Sequence, residues 1–440
     1  LYPAAWQLPV LLMHIRHARY VYNLGLEQRR MWHPFKREQF KKLSATSQML
    51  ELTEARKEFP RLAEGVRDVQ DGALWDLERA YKNWWSNPAH FGRPTFRSKH
   101  ESQSFIIRYP TVHLLSEKWA TVKIRKLGEV KFRLTRALAD VMVAKGARVI
   151  LSPSGKWHIS FTTLPPPFTR TSTGSELGID RGVTRTISTS NGAHSTIPAL
   201  TKGEQRRFLA LEHRLGRQIK GSNRWEATRR DLNQLRDRQK NRHRDWIEKT
   251  STRVVRDNDL IALEDLQTSK MVKAPAPRPD PEKPGAFLHN GAKGKARLNR
   301  AILGSSWGEL ERRIEDKAAM APEDSPVHVV LVHPKNTSIT CHKCGHISAE
   351  NRKSQAVFRC TRCGHTAHAD TNAARNILTA ARNTLPPDGR STDASVTQGA
   401  ASNRTRRLSR LQGTSSQPKG IPNSIPITSR PAGSQPLLSP

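Results

Sequence analysis

Apolar residues recur at helical intervals twice near the start of the chain. Leu11, Ile15, Ala18, Val21 and Leu24 predict an amphipathic helix over 9–32, and Val69, Ala73, Leu77 and Ala80 predict another over 66–85, both with basic outer faces. From Arg93 to Thr163 the period drops to two. Phe105-Ile107, Val122-Ile124, Val130-Phe132-Leu134 and Trp157-Ile159-Phe161 alternate with polar residues, which predicts an antiparallel sheet or small barrel turning at Ser152-Pro153-Ser154-Gly155. LPPPF at 164–168 and the Ser/Thr/Gly cluster at 171–175 read as a linker. A short apolar strand then ends at Asp180, Gly182 permits a tight turn, and Asn191-Gly192 marks a hairpin. Residues 201–250 predict a helical hairpin broken at Ser222 and Asn223, with Phe208, Leu211, Leu215 and Ile219 on one face. A second apolar strand, DLIALEDL at 259–266, closes on Glu264. The Pro-, Gly- and Lys-rich segment 272–297 reads as a mobile loop, followed by a helix over 298–320 and a buried strand, VHVVLV, at 327–332. From about Leu385 to Pro440 the chain is rich in Ser, Pro, Thr and Gly and has no aromatic residue, so disorder is expected.

Charge adds a partner to this outline. Lys and Arg total 74 against 39 Asp and Glu, a net +35 over 440 residues. The 201–250 hairpin alone carries 15 basic against 7 acidic residues. An excess of this size exceeds what solubility needs and points to a polyanion, above all a nucleic acid. A membrane protein is excluded as an expectation, because no apolar run reaches the roughly 18 residues of a spanning helix. The N-terminus lacks the basic region and small-residue cleavage site of a signal peptide, and it starts without Met, so a few residues are expected to be missing. A cytoplasmic protein of a reducing compartment is expected.

The four cysteines are the only ones in the chain, and they form two CxxC pairs: Cys341 with Cys344, and Cys360 with Cys363, fifteen residues lying between the pairs. In a chain without an export signal that spacing favours a ribbon around one structural Zn²⁺ over disulfides. Seven residues past Cys363 comes Asp370, in HADTNAARNIL, which has the pattern of a helix start.

Asp180, Glu264 and Asp370 each have an ordinary reading as a cap or a solvated strand edge. Their order is more specific. A strand ending in Asp, a hairpin of strands, helices, a strand ending in Glu and a late helix opening on Asp is the layout of an RNase H-like fold, in which the first and fourth strands lie side by side. The three carboxylates would then converge. Such a cluster of hard oxygen ligands suits two Mg²⁺ (or Mn²⁺) ions roughly 4 Å apart and phosphodiester hydrolysis.

At these residues the chain resembles the TnpB family of transposon-encoded, RNA-guided, RuvC-like nucleases, from which compact type V CRISPR effectors descend. The resemblance rests on GIDRGV around Asp180, IALEDL around Glu264, and TSITCHKCGH with CTRCGHTAHADTNAARNI around Asp370. It extends through ARYVYNLGLEQRR at 18–30, AYKNWW at 80–85, the run at 241–255 and LNRAILGSSWGEL at 298–310, covering about residues 1–383. It implies a multidomain α+β protein. A WED-like β-barrel would take 1–10 and 91–170, a REC-like helical recognition domain 11–90, and a RuvC-like nuclease 171–334. The nuclease part would include the basic hairpin 201–250 and the flexible insert 272–297. A target nucleic-acid-binding zinc ribbon would follow at 335–367, the last nuclease helix at 368–383 and a disordered tail at 384–440. It also implies a guide RNA held by the barrel and basic helices, a short flanking motif read by the N-terminal helices, and target DNA cut at Asp180, Glu264 and Asp370. The protein would be a nucleoid-associated prokaryotic enzyme, with a monomer favoured. Trp84, Trp85 and Arg67 are candidates for the DNA-facing surface. The competing readings are a compact type V CRISPR effector and a guided DNA binder or repressor that does not cleave.

Overall fold

The computed structural model describes residues 1–31, 43–88, 90–100, 103–135, 141–163, 168–283 and 285–384. The expected tail from 385 onward lies outside the described residues, as does most of LPPPF. The first expected helix is α1, Leu8–Met31. The second is α3, Arg67–Ser86, and between them stands α2, Ala45–Glu58, which periodicity did not reveal. Ser44 caps α2 by accepting the Ser47 backbone N–H. Leu11, Ile15, Val21 and Leu26 of α1 pack on Val69, Leu74 and Leu77 of α3.

The alternating segment supplies six strands: β1 (Gln103–Arg108), β2 (Val112–Ser116), β3 (Trp119–Ile124), β4 (Gly128–Arg133), β5 (Gly146–Leu151) and β6 (Trp157–Phe161). They do not form one hydrogen-bonded barrel among the described residues. They form two three-stranded antiparallel sheets, β1-β5-β6 and β2-β3-β4. Alternation fixed which side chains face inward, as with Val122, Val130 and Phe132, but it carries no record of which strand pairs with which. Both sheets share one core with α1 and α3. Trp84 packs against this core, whereas Trp85 is exposed and Arg67 bonds to Thr53 and Asp71.

The second region is built on a five-stranded sheet. Its strands are β7 (Glu176–Asp180), β8 (Ile187–Thr189), β9 (His194–Ser195), β10 (Leu260–Glu264) and β11 (His328–Val332), in the order β11-β10-β7-β8-β9. β7, β10 and β11 are parallel and β7-β8-β9 antiparallel, so the first and fourth strands are neighbours, as expected. Gly192 at φ 90° makes the Asn191-Gly192 turn. The basic hairpin is α4 (Lys202–Arg217) and α5 (Asn223–Asp257), α5 running past the expected end at 250. Ser222 caps α5. Ile219 is 82% exposed, because α4 ends before it reaches the expected apolar face. The single helix expected over 298–320 is two, α6 (Ala292–Gly304) and α7 (Trp307–Ala318), separated where Ser306 takes φ 54°. β11 is a partly exposed edge strand and not the buried one that VHVVLV suggests. Among the described residues no helix is long and apolar enough to cross a membrane.

Candidate functional site

Strand parity places the acids. Along β7, Leu177 and Ile179 face a core made with Ile247, Val254 and Val255 of α5 and Leu310 and Ile314 of α7; along β10, Ile261 and Leu263 do the same. Side chains one residue out of step face the opposite side. There Leu260 and Ala262 of β10 meet Ile377, Leu378 and Ala381 of α8 (Ala369–Thr384). Asp180 and Glu264 follow that second parity, so both stand on the face that α8 covers. Gly178 makes the approach possible: a Cβ there would sit 2.0 Å from the Ala374 carbonyl oxygen. Asp370 lies in the first turn of α8, where a carboxylate also suits the positive end of the helix.

The electrostatics show that the three acids share one neighbourhood. Burial, then the negative charges of Glu264 and Asp370, push the Asp180 carboxyl up to about 7, against the opposing pull of Arg352 and of the Arg181 backbone N–H. Burial also raises Glu264, offset by a hydrogen bond from Thr337 and the charge of Arg181. Thr337 Oγ1 donates to Glu264 Oε1 at 2.7 Å. Arg352 Nη2 donates to Asp370 Oδ1 at 3.4 Å. The Asp370 backbone N–H donates to His368 Nδ1 at 3.3 Å, and the His368 ring lies 4.9 Å from that of His194.

The ribbon lies between β11 and α8. Its Sγ atoms are the only set of three or more potential metal ligands, among the described residues, that all lie within 4.8 Å of one another. Cys341 Sγ is 3.7 Å from Cys363 Sγ and Cys344 Sγ is 3.6 Å from Cys360 Sγ. A disulfide needs about 2.05 Å. A tetrahedral Zn²⁺ with bonds of about 2.3 Å needs edges of ~3.8 Å, so the four thiols fit such an ion. The two knuckles repeat one geometry. Cys341 and Cys360 donate their backbone N–H to His346 and His365 carbonyls, and Gly345 and Gly364 take φ 72° and 70°.

The ribbon is tied to α8 at several points. Cys341, Phe358 and Cys360 pack with Ala369, the residue before Asp370. Buried Asn372 accepts the His342 backbone N–H at 3.2 Å and donates to the Thr340 carbonyl at 2.7 Å, while Asn376 donates to the carbonyls of Thr337 and Thr340. Through Thr337 this network reaches Glu264. Sequence reasoning singled out the three acids and four cysteines and passed over Arg181, Thr337 and Arg352. Arg181 lay inside the quoted GIDRGV; Arg352 sits in a ribbon loop that no local pattern connects to Asp370. A cleft of about 1140 Å³ opens elsewhere, lined by Arg230 of α5, Arg133 of β4, Trp157 and His158 of β6, and by Tyr2 and Lys156.

Comparison with known proteins matches residues 159–274 to the family described as "Probable transposase" and residues 307–377 to that described as "Cas12f1-like, TNB domain". The protein named "Putative RNA-guided DNA endonuclease InsQ" of Escherichia coli (strain K12) is 34% identical over 310 residues, 70% of this chain and 73% of that protein. One named "Putative RNA-guided DNA endonuclease" of Streptomyces pristinaespiralis is 27% identical over 387 residues, 86% of this chain and 87% of that one. The solved structure described as "Cryo-EM structure of the Cas12f1-sgRNA-target DNA complex" aligns at a TM-score of 0.49 and 14% identity, over 84% of this chain and 82% of that one. On the identity and coverage shared with the Escherichia coli protein, the chain belongs to the TnpB family.

Proposed function

We propose that the protein is an RNA-guided DNA endonuclease that hydrolyses phosphodiester bonds at a RuvC-like site made by Asp180, Glu264 and Asp370. The observation that supports the assignment is that Asp180 and Glu264 end neighbouring strands on the sheet face that α8 covers, while the charge of Asp370, in the first turn of α8, is felt at Asp180, in a member of the TnpB family. Hard oxygen donors of this kind suit Mg²⁺, which when bound supplies an activated water and offsets charge on the departing 3′ oxygen. The chain's own part is positional and electrostatic. Thr337 orients Glu264, and Asn372 and Asn376 fix the start of α8 and with it Asp370. Arg352 brings positive charge to the Asp370 side, where an incoming phosphate adds negative charge. Asp180, whose carboxyl is pushed up to about 7 by burial and its acidic neighbours, would hold a cation in its ionised form.

Structural Zn²⁺ belongs in the four-cysteine ribbon, which holds α8 in place. The cleft lined by Arg133, Lys156, Trp157 and Arg230 combines cations with an aromatic surface, a combination suited to RNA, and supports the guide as its occupant. Pairing between guide and target would supply specificity, with the basic surface gripping phosphates. The test is a plasmid-cleavage assay with protein purified alongside RNA from its native locus, on targets beside a randomised flanking sequence. RNA-dependent cutting is expected, lost in Asp180→Ala and Glu264→Ala; cutting that survives both substitutions rules this site out.

A further inference from the structure

Arg181 follows Asp180 directly, and its side chain is 1% exposed. Its Nη2 donates to the main-chain carbonyl of Glu264, and its Nη1 donates to Glu311 Oε2 of α7 at 2.5 Å. Its own backbone N–H lies close enough to the Asp180 carboxyl to favour the ionised form. One residue therefore joins the two strand ends, following Asp180 in the chain and holding the main chain of Glu264 through its side chain.

The place of this contact matters. The parallel register of β7 and β10 runs from Leu260 opposite Glu176 to Leu263 opposite Ile179, one position short of Glu264 and Asp180. At the next step, where backbone pairing has stopped, the guanidinium bridges the two strands. Burying a guanidinium is costly unless it is paired, and an apolar side chain of similar volume would pack there at less cost. Its Nε is buried with no partner, so hydrogen bonding does not fully repay the burial.

We propose that Arg181 is a positioning residue of the divalent-cation site, clamping the ends of β7 and β10 so that Asp180 and Glu264 keep a fixed separation, with Glu311 as the anchor of the clamp. This rests on the reading of Asp180, Glu264 and Asp370 as cation ligands. Residues that orient ligands from behind typically change metal affinity about 10- to 100-fold when removed.

The test compares Arg181→Met, Arg181→Lys, Glu311→Gln and Asp180→Ala as full-length protein–RNA complexes. Mn²⁺ affinity is read by electron paramagnetic resonance, target binding by gel shift, folding by melting temperature, and cleavage by Mg²⁺ titration. Arg181→Met is expected to bind target as the parent does, to lose about tenfold in Mn²⁺ affinity, and to recover part of its cleavage at raised Mg²⁺. Arg181→Lys should fall between the two, and Glu311→Gln should shift the same quantities less. Unchanged Mn²⁺ affinity in folded Arg181→Met overturns the positioning role, provided that Asp180→Ala has lost it. If Asp180→Ala keeps both Mn²⁺ binding and cutting, the site assignment itself fails. Should Arg181→Met not fold, Arg181→Lys and Glu311→Gln decide: parental Mn²⁺ affinity in both overturns the proposal, and a graded loss supports it.

Discussion

The four-cysteine ribbon and the three carboxylates proposed as a cation site are built in opposite ways. The cysteines fall within 23 residues, and two short turns of matching geometry bring their sulfurs to within 4.8 Å of one another. The carboxylates come from two strands and a helix, stand among like charges, and depend on a sheet face, a helix packed on a glycine and a set of polar clamps. The ribbon carries its ligand geometry in its own turns. The acid site has no local structure of its own and is as good as the surrounding fold makes it. A closed set of four thiolates suits a structural ion, whereas hard oxygen ligands suit a catalytic one.

The sharpest way to separate the two clusters is to remove one ligand from each. Asp370→Ala is expected to reduce cutting by on the order of 10³-fold or more while RNA and target binding stay near parental, measured by plasmid cleavage beside gel shift. Cys360→Ser is expected to lose bound zinc and to lower both binding and cutting, since an ion in the ribbon would supply several kcal/mol of its folding; zinc content and hydrogen exchange in 337–368 report it. Equal loss of binding in both variants would contradict the division between a structural and a reactive cluster.

Gly178→Ala tests the dependence of the acid site on its fold. The added methyl collides with the Ala374 carbonyl and must push α8 off the sheet, so a loss of about 1–3 kcal/mol or more is expected in denaturant melts. The ribbon should keep its zinc, because its ligand turns are local. A melt unchanged from the parent would show that α8 does not pack as described.

The smaller effects concern protons. Without bound cation, Asp180 titrates in the native state near 7 and in the unfolded chain near 3.8. Between those values the native state binds more protons, so this residue's contribution makes stability fall as pH rises from about 4 to about 7, on the order of 4 kcal/mol in all. Asp180→Asn should flatten that part of the melting-temperature profile of the cation-free protein; an unchanged slope would show that Asp180 is not held protonated. Arg352→Gln removes a cation that favours the ionised form, so proton release on Mn²⁺ loading should move to higher pH, measured by calorimetry in buffers of different ionisation enthalpy.

The strand-end positions of Asp180 and Glu264 and the helix-start position of Asp370 were legible before any fold was known, in an order that few topologies share. The clamps were not. Arg352 reaches Asp370 across 18 residues of ribbon, and Thr337 reaches Glu264 across 73, distances at which no periodicity or motif carries information. The N-terminal sheets make the same point: alternation marked inward positions such as Val122 and Val130, but hydrogen bonding divided the strands into two sheets.

What the sequence determined by itself is therefore what depends on near neighbours: the period of most elements, the break at Ser222, the Asn191-Gly192 turn, and the paired knuckles of the ribbon. Tertiary structure alone decided which charges meet. Carboxyl and guanidinium groups of the same kind recur throughout the chain, and only packing selects those that share a buried space where desolvation makes their interactions strong. Arg181 shows the difference. In sequence it is one of many cations, and in the fold it is the group that reaches from Asp180 to Glu264 where the ladder between their strands has ended.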